Sequence, residues 1–242
     1  MAKVQIILPE WLADRYAAQI RDTGGDRIEL LPVDENDPTK IDISQAQVAL
    51  HGFWYGSTRF SSLRPAMPKL QWIHVTGAGI DDLASPEWQN SGVWLTNVSG
   101  GYASAIAEYA LAAMIMMSRD FRDWFAAARQ QRWLDRVDTS GHELRGKQIG
   151  IIGYGGIGRH LAVICRALGM RVWATRRTPM FATGEPVDRL LGAHELPSLL
   201  TASDYIVIAS SLNSTTRHLL DVVAFQRIKR GAFLVNVARG GG

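Results

Sequence analysis

Between residues 148 and 168 the chain reads Gln148-Ile-Gly-Ile-Ile152, then Gly153-Tyr154-Gly155-Gly156-Ile157-Gly158, then Arg159-His-Leu-Ala-Val-Ile-Cys-Arg-Ala-Leu168. No other stretch constrains the fold so tightly. A short β-branched run, a Gly-x-Gly-x-x-Gly turn and an apolar run of helical length predict strand, tight turn and helix in immediate succession. Gly153 is expected to permit the turn, Gly155 to let the backbone approach a pyrophosphate, and Gly158 to let the helix pack close on the strand. Amides near Gly156 and Ile157 would then face the phosphates, where the helix dipole favours negative charge. The whole segment from Gly153 through Tyr154 to Gly158 is thus predicted to cradle a dinucleotide.

The next strand, Arg171-Val-Trp-Ala-Thr175, bears on which dinucleotide. An acidic residue about twenty positions after such a motif would accept hydrogen bonds from the adenosine ribose hydroxyls. Here the strand runs into Arg176 and Arg177. Two guanidiniums suit a 2′-phosphate, which they grip by charge-assisted bonds, whereas a carboxylate would repel it. NADP(H) is therefore expected over NAD(H), with NAD the second choice.

The rest of the chain alternates in the same way. From residue 1 to about 98, strand signals fall at Val4–Leu8, Ile28–Val33, Val48–His51, Trp72–Thr76 and Val93–Thr96, with helical stretches at Trp11–Ile20 and Ser85–Asn90. Such alternation predicts an α/β layer structure with a largely parallel sheet. Ala103–Met117 carries no Gly or Pro and continues into Arg119–Trp133, long enough for one helix of about thirty residues or two nearly in line, linking two domains. Met114, Met116 and Met117 are read as core packing there. From Leu144 onward the order is strand (Ile149–Ile152), helix (Gly158–Leu168), strand (Arg171–Thr175), helix near Leu196–Leu200, strand (Tyr205–Ala209), helix (Asp221–Arg227) and strand (Ala232–Val237). Domains are drawn at 1–98 and 99–242.

Composition removes several alternatives. With 242 residues, 47% of them hydrophobic, the chain can bury one large core or two smaller ones. A net charge of only +3 with no basic stripe argues against nucleic acid as a partner. The first apolar run is too short for a signal peptide or a membrane span. The lone Cys165 sits in an apolar helix and reads as a small core residue, which fits a reducing cytoplasm. His51-Gly-Phe-Trp-Tyr55 could line a substrate mouth, but aromatics after a strand are read as core, so Trp54 and Tyr55 are left out of the site.

Several blocks together resemble the D-isomer-specific 2-hydroxyacid dehydrogenases, the group containing glyoxylate/hydroxypyruvate reductases and phosphoglycerate dehydrogenases. They are Gly77-Ala-Gly-Ile-Asp81, Asn97 with Ile106-Ala-Glu-Tyr109, Glu143-Leu-Arg-Gly-Lys147, the glycine turn, Ser211-Leu-Asn-Ser-Thr-Thr-Arg217, and Lys229 through Gly240. The resemblance implies two Rossmann-like domains: a flavodoxin-like substrate domain and an NAD(P)-binding Rossmann domain. It implies that Ala78 and Gly79 offer amides to a substrate carboxylate, and that Arg239 is the catalytic arginine that binds the carboxylate and polarises the carbonyl. Ser210, Ser211, Thr216, Val237 and Ala238 fall where the family lines its cofactor cleft, and Arg239 borders it. The implied substrate is a small 2-oxoacid such as glyoxylate or hydroxypyruvate, and the implied assembly is a homodimer through the long helix after Asn97.

The pattern departs from the family at three points. Ser211 replaces the usual proline and Asn213 the usual threonine. The family's His–Glu proton-donating pair, which follows the arginine, has no counterpart among His51, His74, His142, His160, His194 and His218, and Glu185-Pro186 reads as a surface loop. The strands from Ile149 to Val237 leave the Rossmann sheet incomplete, with Phe233–Val237 at its edge. The expectation is therefore a poorly active fragment of a longer product. A cofactor-gated regulatory or corepressor-type protein on the same scaffold is the alternative, since fold does not fix function.

Overall fold

The computed structural model describes residues 3–34, 37–51, 60–80, 83, 85–134, 141–180 and 183–240. Trp54, Tyr55, Asp81, Gly241 and Gly242 lie outside them. The chain divides into two compact units, Met1–Ser99 and Gly100–Gly242.

In the first unit the order is β1 (Val4–Pro9), α1 (Glu10–Gly24), β2 (Ile28–Val33), β3 (Val48–His51), β4 (Trp72–Val75), α2 (Pro86–Gln89) and β5 (Trp94–Asn97). The strands lie in the order β2-β1-β3-β4-β5, all parallel. Numbered along the chain this is 2-1-3-4-5, the flavodoxin-like doubly wound order. Both faces of β1 are covered. Ile7 joins Val33, Ala49, Met67, Ile73 and Trp88 on one side, while Leu8 meets Leu12, Ala13 and Leu30 under α1 on the other. Central runs such as Val48–His51 form strands because burial on two faces rewards apolar residues, whereas the edge strand β2 buries only Leu30 and Val33 fully.

The second unit contains α3 (Ala103–Ser118), α4 (Phe121–Arg129), β6 (Gln148–Ile152), α5 (Gly156–Ala167), β7 (Arg171–Thr175), β8 (Arg189–Leu191), α6 (Leu196–Ala202), β9 (Tyr205–Ile208), α7 (Val222–Arg227) and β10 (Phe233–Asn236). Its sheet, again parallel, is ordered β10-β9-β6-β7-β8. Counting from β6, that is the 3-2-1-4-5 arrangement of a Rossmann sheet, with β10 at one edge. All five residues of β6 are buried, and Ile149 and Ile151 pack with Leu161, Ala162 and Cys165 of α5. Cys165 is thus a core residue, and burial pushes its thiol up to about 12.

One open choice is settled, and two expectations change. The helix after Tyr102 is broken in two at Arg119-Asp120, where Asp120 takes a left-handed conformation (φ 50°). Aspartate reaches that region more easily than most residues, so no glycine or proline was needed to stop α3. Both helices belong to the second unit, where Ala107, Ala110 and Met114 of α3 join the core under α5. Of the three methionines, Met114 is buried and Met117 packs on that core, but Met116 is exposed. Finally, the segment after β7 contributes a strand, β8, which pairs with β7 from Trp173↔Arg189 to Thr175↔Leu191.

Candidate functional site

The glycine turn leaves the C-terminal end of β6 and enters α5. Here the sheet order reverses, with β7 on one side of β6 and β9 on the other. Crevices at such switch points are where open α/β sheets take ligands. Gly153 has φ 103°, and a Cβ there would lie 2.6 Å from the Ser210 amide nitrogen, so only glycine makes the turn beneath the end of β9. A Cβ on Gly158 would lie 2.4 Å from the carbonyl oxygen of Gly153. Gly155 is different: nothing lies within 4 Å of its added Cβ, and it faces open space.

Gly155 is also the N-cap of α5, and no side chain caps that first turn. The amides of Gly156 and Ile157 therefore start a twelve-residue helix beside an open cradle. This is the shape and polarity a pyrophosphate needs, so the turn fits a dinucleotide. Tyr154 enters differently. Its amide donates to the Thr175 carbonyl at 2.8 Å, and its ring is buried.

Arg176 and Arg177 follow β7 directly and are exposed. The loop they open returns at Glu185, which lies in a surface loop as expected but turns its side chain inward. The Glu185 side chain is only 5% exposed. The Tyr154 hydroxyl donates to its Oε2 at 2.6 Å, and Arg159 Nη1 lies 2.8 Å from Oε1 and 2.9 Å from Oε2. The Arg159 guanidinium also sits 5.2 Å from the centre of the Tyr154 ring. The hydrogen bond from Tyr154 holds the Glu185 carboxyl below its usual range, and Arg159 and Arg176 add to this against the effect of burial. Burial, reinforced by Glu185, pushes the Tyr154 phenol upward. Sequence reading missed this cluster because its members lie 26 and 31 residues apart.

Beyond β9 the chain passes Ser210 and Ser211 into a tight loop. The Thr216 hydroxyl donates to the Ser211 carbonyl at 2.6 Å and accepts from the Asn213 amide at 2.8 Å. The Asn213 side chain accepts from the amides of Thr215 and Thr216 at 2.9 and 3.1 Å. Asparagine closes this turn through its own side chain. At the end of β10, the Val237 amide bonds the Ile208 carbonyl at 3.0 Å. Asn236 then clasps the next turn, accepting from the Ala238 amide and donating to the Arg239 carbonyl, both at 2.9 Å. The exposed Arg239 also donates to the Ala238 carbonyl at 3.2 Å. Asn236 was not singled out in the sequence, although an asparagine opening a turn is a recognisable signal. The Gly-turn, Arg176, Ser210 and Val237–Arg239 thus gather at one end of a single sheet.

In the first unit, the loop 77–80 follows β4. Asn97, at the end of β5, donates to the Ala78 carbonyl at 2.9 Å, and the Val98 amide lies 3.4 Å from the Gly77 carbonyl. The loop's oxygens are thereby turned toward β5. Among the described residues, the amides of Ala78 and Gly79 have no acceptor. Amides of a glycine-rich loop left in this way suit an anion.

Among the described residues, no cluster of His, Cys, Asp or Glu could hold a metal ion. No helix there is long and apolar enough to cross a membrane.

Comparison with known proteins agrees with this geometry. Residues 111–242 match the family described as D-isomer specific 2-hydroxyacid dehydrogenase, NAD binding domain. The chain is 32% identical over 178 residues to an (S)-sulfolactate dehydrogenase of Chromohalobacter salexigens, covering 72% of this chain and 56% of that one. It is 30% identical over 172 residues to a hydroxypyruvate reductase of Thermotoga maritima, covering 71% and 54%. It spans little more than half the length of either relative. In fold, it is similar to a crystal structure of a glyoxylate reductase from Paecilomyes thermophila, with a TM-score of 0.83 over 99% of this chain and 74% of that one at 22% identity.

Proposed function

Because the chain belongs to the D-isomer specific 2-hydroxyacid dehydrogenase family, we propose that it serves the NADP(H)-dependent reduction of a small 2-oxoacid such as glyoxylate or hydroxypyruvate. The observation that carries the cofactor preference is the exposed pair Arg176 and Arg177 directly after β7. Glu185, in the loop that follows them, turns its side chain inward, where Tyr154 and Arg159 bind it. It is therefore not offered to ribose hydroxyls.

When bound, the nicotinamide would supply a hydride to the 2-keto carbon, and water would supply the proton that the resulting alkoxide oxygen takes up. The amides of Gly155, Gly156 and Ile157 hold the pyrophosphate, and Arg176 and Arg177 hold the 2′-phosphate. Arg239 binds the substrate carboxylate and draws charge from the carbonyl oxygen as the carbon is reduced. In the first unit, the amides of Ala78 and Gly79 in the loop after β4 suit a carboxylate. Ser210, Ser211, Thr216, Val237 and Ala238 border the cofactor. We place this reaction in the cytosol, in a homodimer; the buried thiol of Cys165 suits a reducing compartment.

Equilibrium titration of NADPH and NADH, followed by nicotinamide fluorescence, tests the reading. NADPH is expected to bind at least tenfold more tightly, about 1.4 kcal/mol, and replacing Arg176 and Arg177 by alanine is expected to abolish the difference. A tighter NADH constant for the native chain overturns it.

A further inference from the structure

The Tyr154–Glu185–Arg159 cluster is not accounted for by cofactor binding alone. A carboxylate 5% exposed must be compensated, since a buried ion without a partner is unfavourable. Two positive groups compete for that role. Arg159 is in contact with Glu185, and Arg176 directly follows Thr175, whose carbonyl accepts the Tyr154 amide at 2.8 Å, so its charge also bears on Glu185 and Tyr154. Only Arg176 stands beside Arg177 after β7. Of the three arginines, Arg159 is fixed in place by its ion pair and by the Tyr154 ring, and it projects from the first turn of α5.

We infer that Arg159 is a specificity-determining positioning residue: by satisfying Glu185, it leaves the Arg176 guanidinium to the 2′-phosphate of NADPH. Glu185 has one negative charge and Arg159 one positive. Their pairing leaves the charge of Arg176 and Arg177 uncancelled at the pocket, facing a group that is nearly dianionic. Removing Arg159 turns Glu185 toward Arg176, the remaining cation near it. The pocket then loses one effective charge and gains a carboxylate neighbour. NADH, which lacks the 2′-phosphate, is indifferent to that exchange. The inference rests on the NADP(H) reading above.

Arg159→Met keeps the length and apolar body of the side chain over the Tyr154 ring. It is expected to weaken NADPH about tenfold, the scale of one charge acting across a few ångströms near a protein surface, with NADH changed less than about twofold. The decisive variant is the double replacement Arg159→Met with Glu185→Gln. Glutamine accepts the Tyr154 hydrogen bond but carries no charge, so the double variant is expected to recover the native ratio of NADPH to NADH constants. Circular dichroism of each variant reports folding. If the single variant does not fold, the ratio in the double variant decides alone: a native ratio supports the inference, and a collapsed one overturns it. Equal weakening of both cofactors by Arg159→Met, or no recovery in the double variant, also overturns it, since Arg159 would then serve the pyrophosphate or the fold. Should the Arg176/Arg177 alanine pair leave the ratio of the native chain unchanged, the NADP(H) reading itself fails, independently of Arg159.

Discussion

Replacing Gly155 by alanine adds one methyl group at the mouth of the glycine turn. The added carbon meets nothing within 4 Å, and the residue is extended (φ −101°, ψ −153°), a conformation open to alanine. The fold should therefore be unharmed; loss of glycine's freedom in the unfolded chain even favours the native state by about 0.4–1 kcal/mol. The space filled is the cradle before α5, where the pyrophosphate is expected. A methyl forced against a bound group costs about 1–3 kcal/mol, so NADPH should bind roughly five- to 150-fold more weakly. Gly158→Ala supplies the contrast. Its Cβ would lie 2.4 Å from the Gly153 carbonyl oxygen and 3.1 Å from Ile151 Cγ2. Backbone on one side and core on the other leave it no room, and its melting temperature should fall on the order of 5–10 °C. The assays are thermal unfolding by circular dichroism and NADPH titration. Gly155→Ala with native melting and native affinity would show that the phosphates do not pass over Gly155, and the cradle argument would be wrong.

The remaining predictions concern other parts of the chain. Tyr109 is 72% exposed on α3, so Tyr109→Arg should shift a dimer toward monomer in light scattering; an unchanged mass places the interface elsewhere. Cys165 should resist a thiol reagent at pH 8 in the native protein and react on unfolding; fast native labelling contradicts its burial. At Asp204, burial opposes ionisation, but hydrogen bonds from Lys229 and the Gln148 amide outweigh it and hold the carboxyl below its usual range. A depressed folded pKa gives stability that is present above the ordinary carboxylate range and lost as pH falls through the depressed value. Urea unfolding midpoints should accordingly drop in acid for the native chain and less for Asp204→Asn, and parallel curves would refute the assignment.

How far the fold was legible depended on where the information lay. Ile28–Val33, Val48–His51 and Arg171–Thr175 announce themselves as strands, because each carries β-branched and other apolar residues in a short run bounded by polar or turn residues. β8 does not: three residues beginning with Arg189 carry too weak a pattern, and only pairing with β7 makes them a strand. The choice between one long helix and two in line stayed open in the sequence, since Asp120 carries no strong stop signal. In the site, the glycine turn was fully visible as a local motif. Glu185 was hidden because Gly184 and Pro186 mark a loop, while the side chain's partners come from distant turns of the chain. Asn236 lay between, with a local signal that was overlooked.

Every strand pairing among the described residues is parallel. Parallel neighbours cannot be joined by a hairpin, so each pairing closes a long loop of chain before it is rewarded. At the centre of the second sheet, Gln148 and Asp204 meet across 56 residues. The glycine turn can form early with β6 and α5, but Gly153 is seated only when Ser210 arrives at the end of β9. Refolding of this unit is therefore slow in its last stage. Helical signal should return first, and the capacity to bind a dinucleotide should lag behind it.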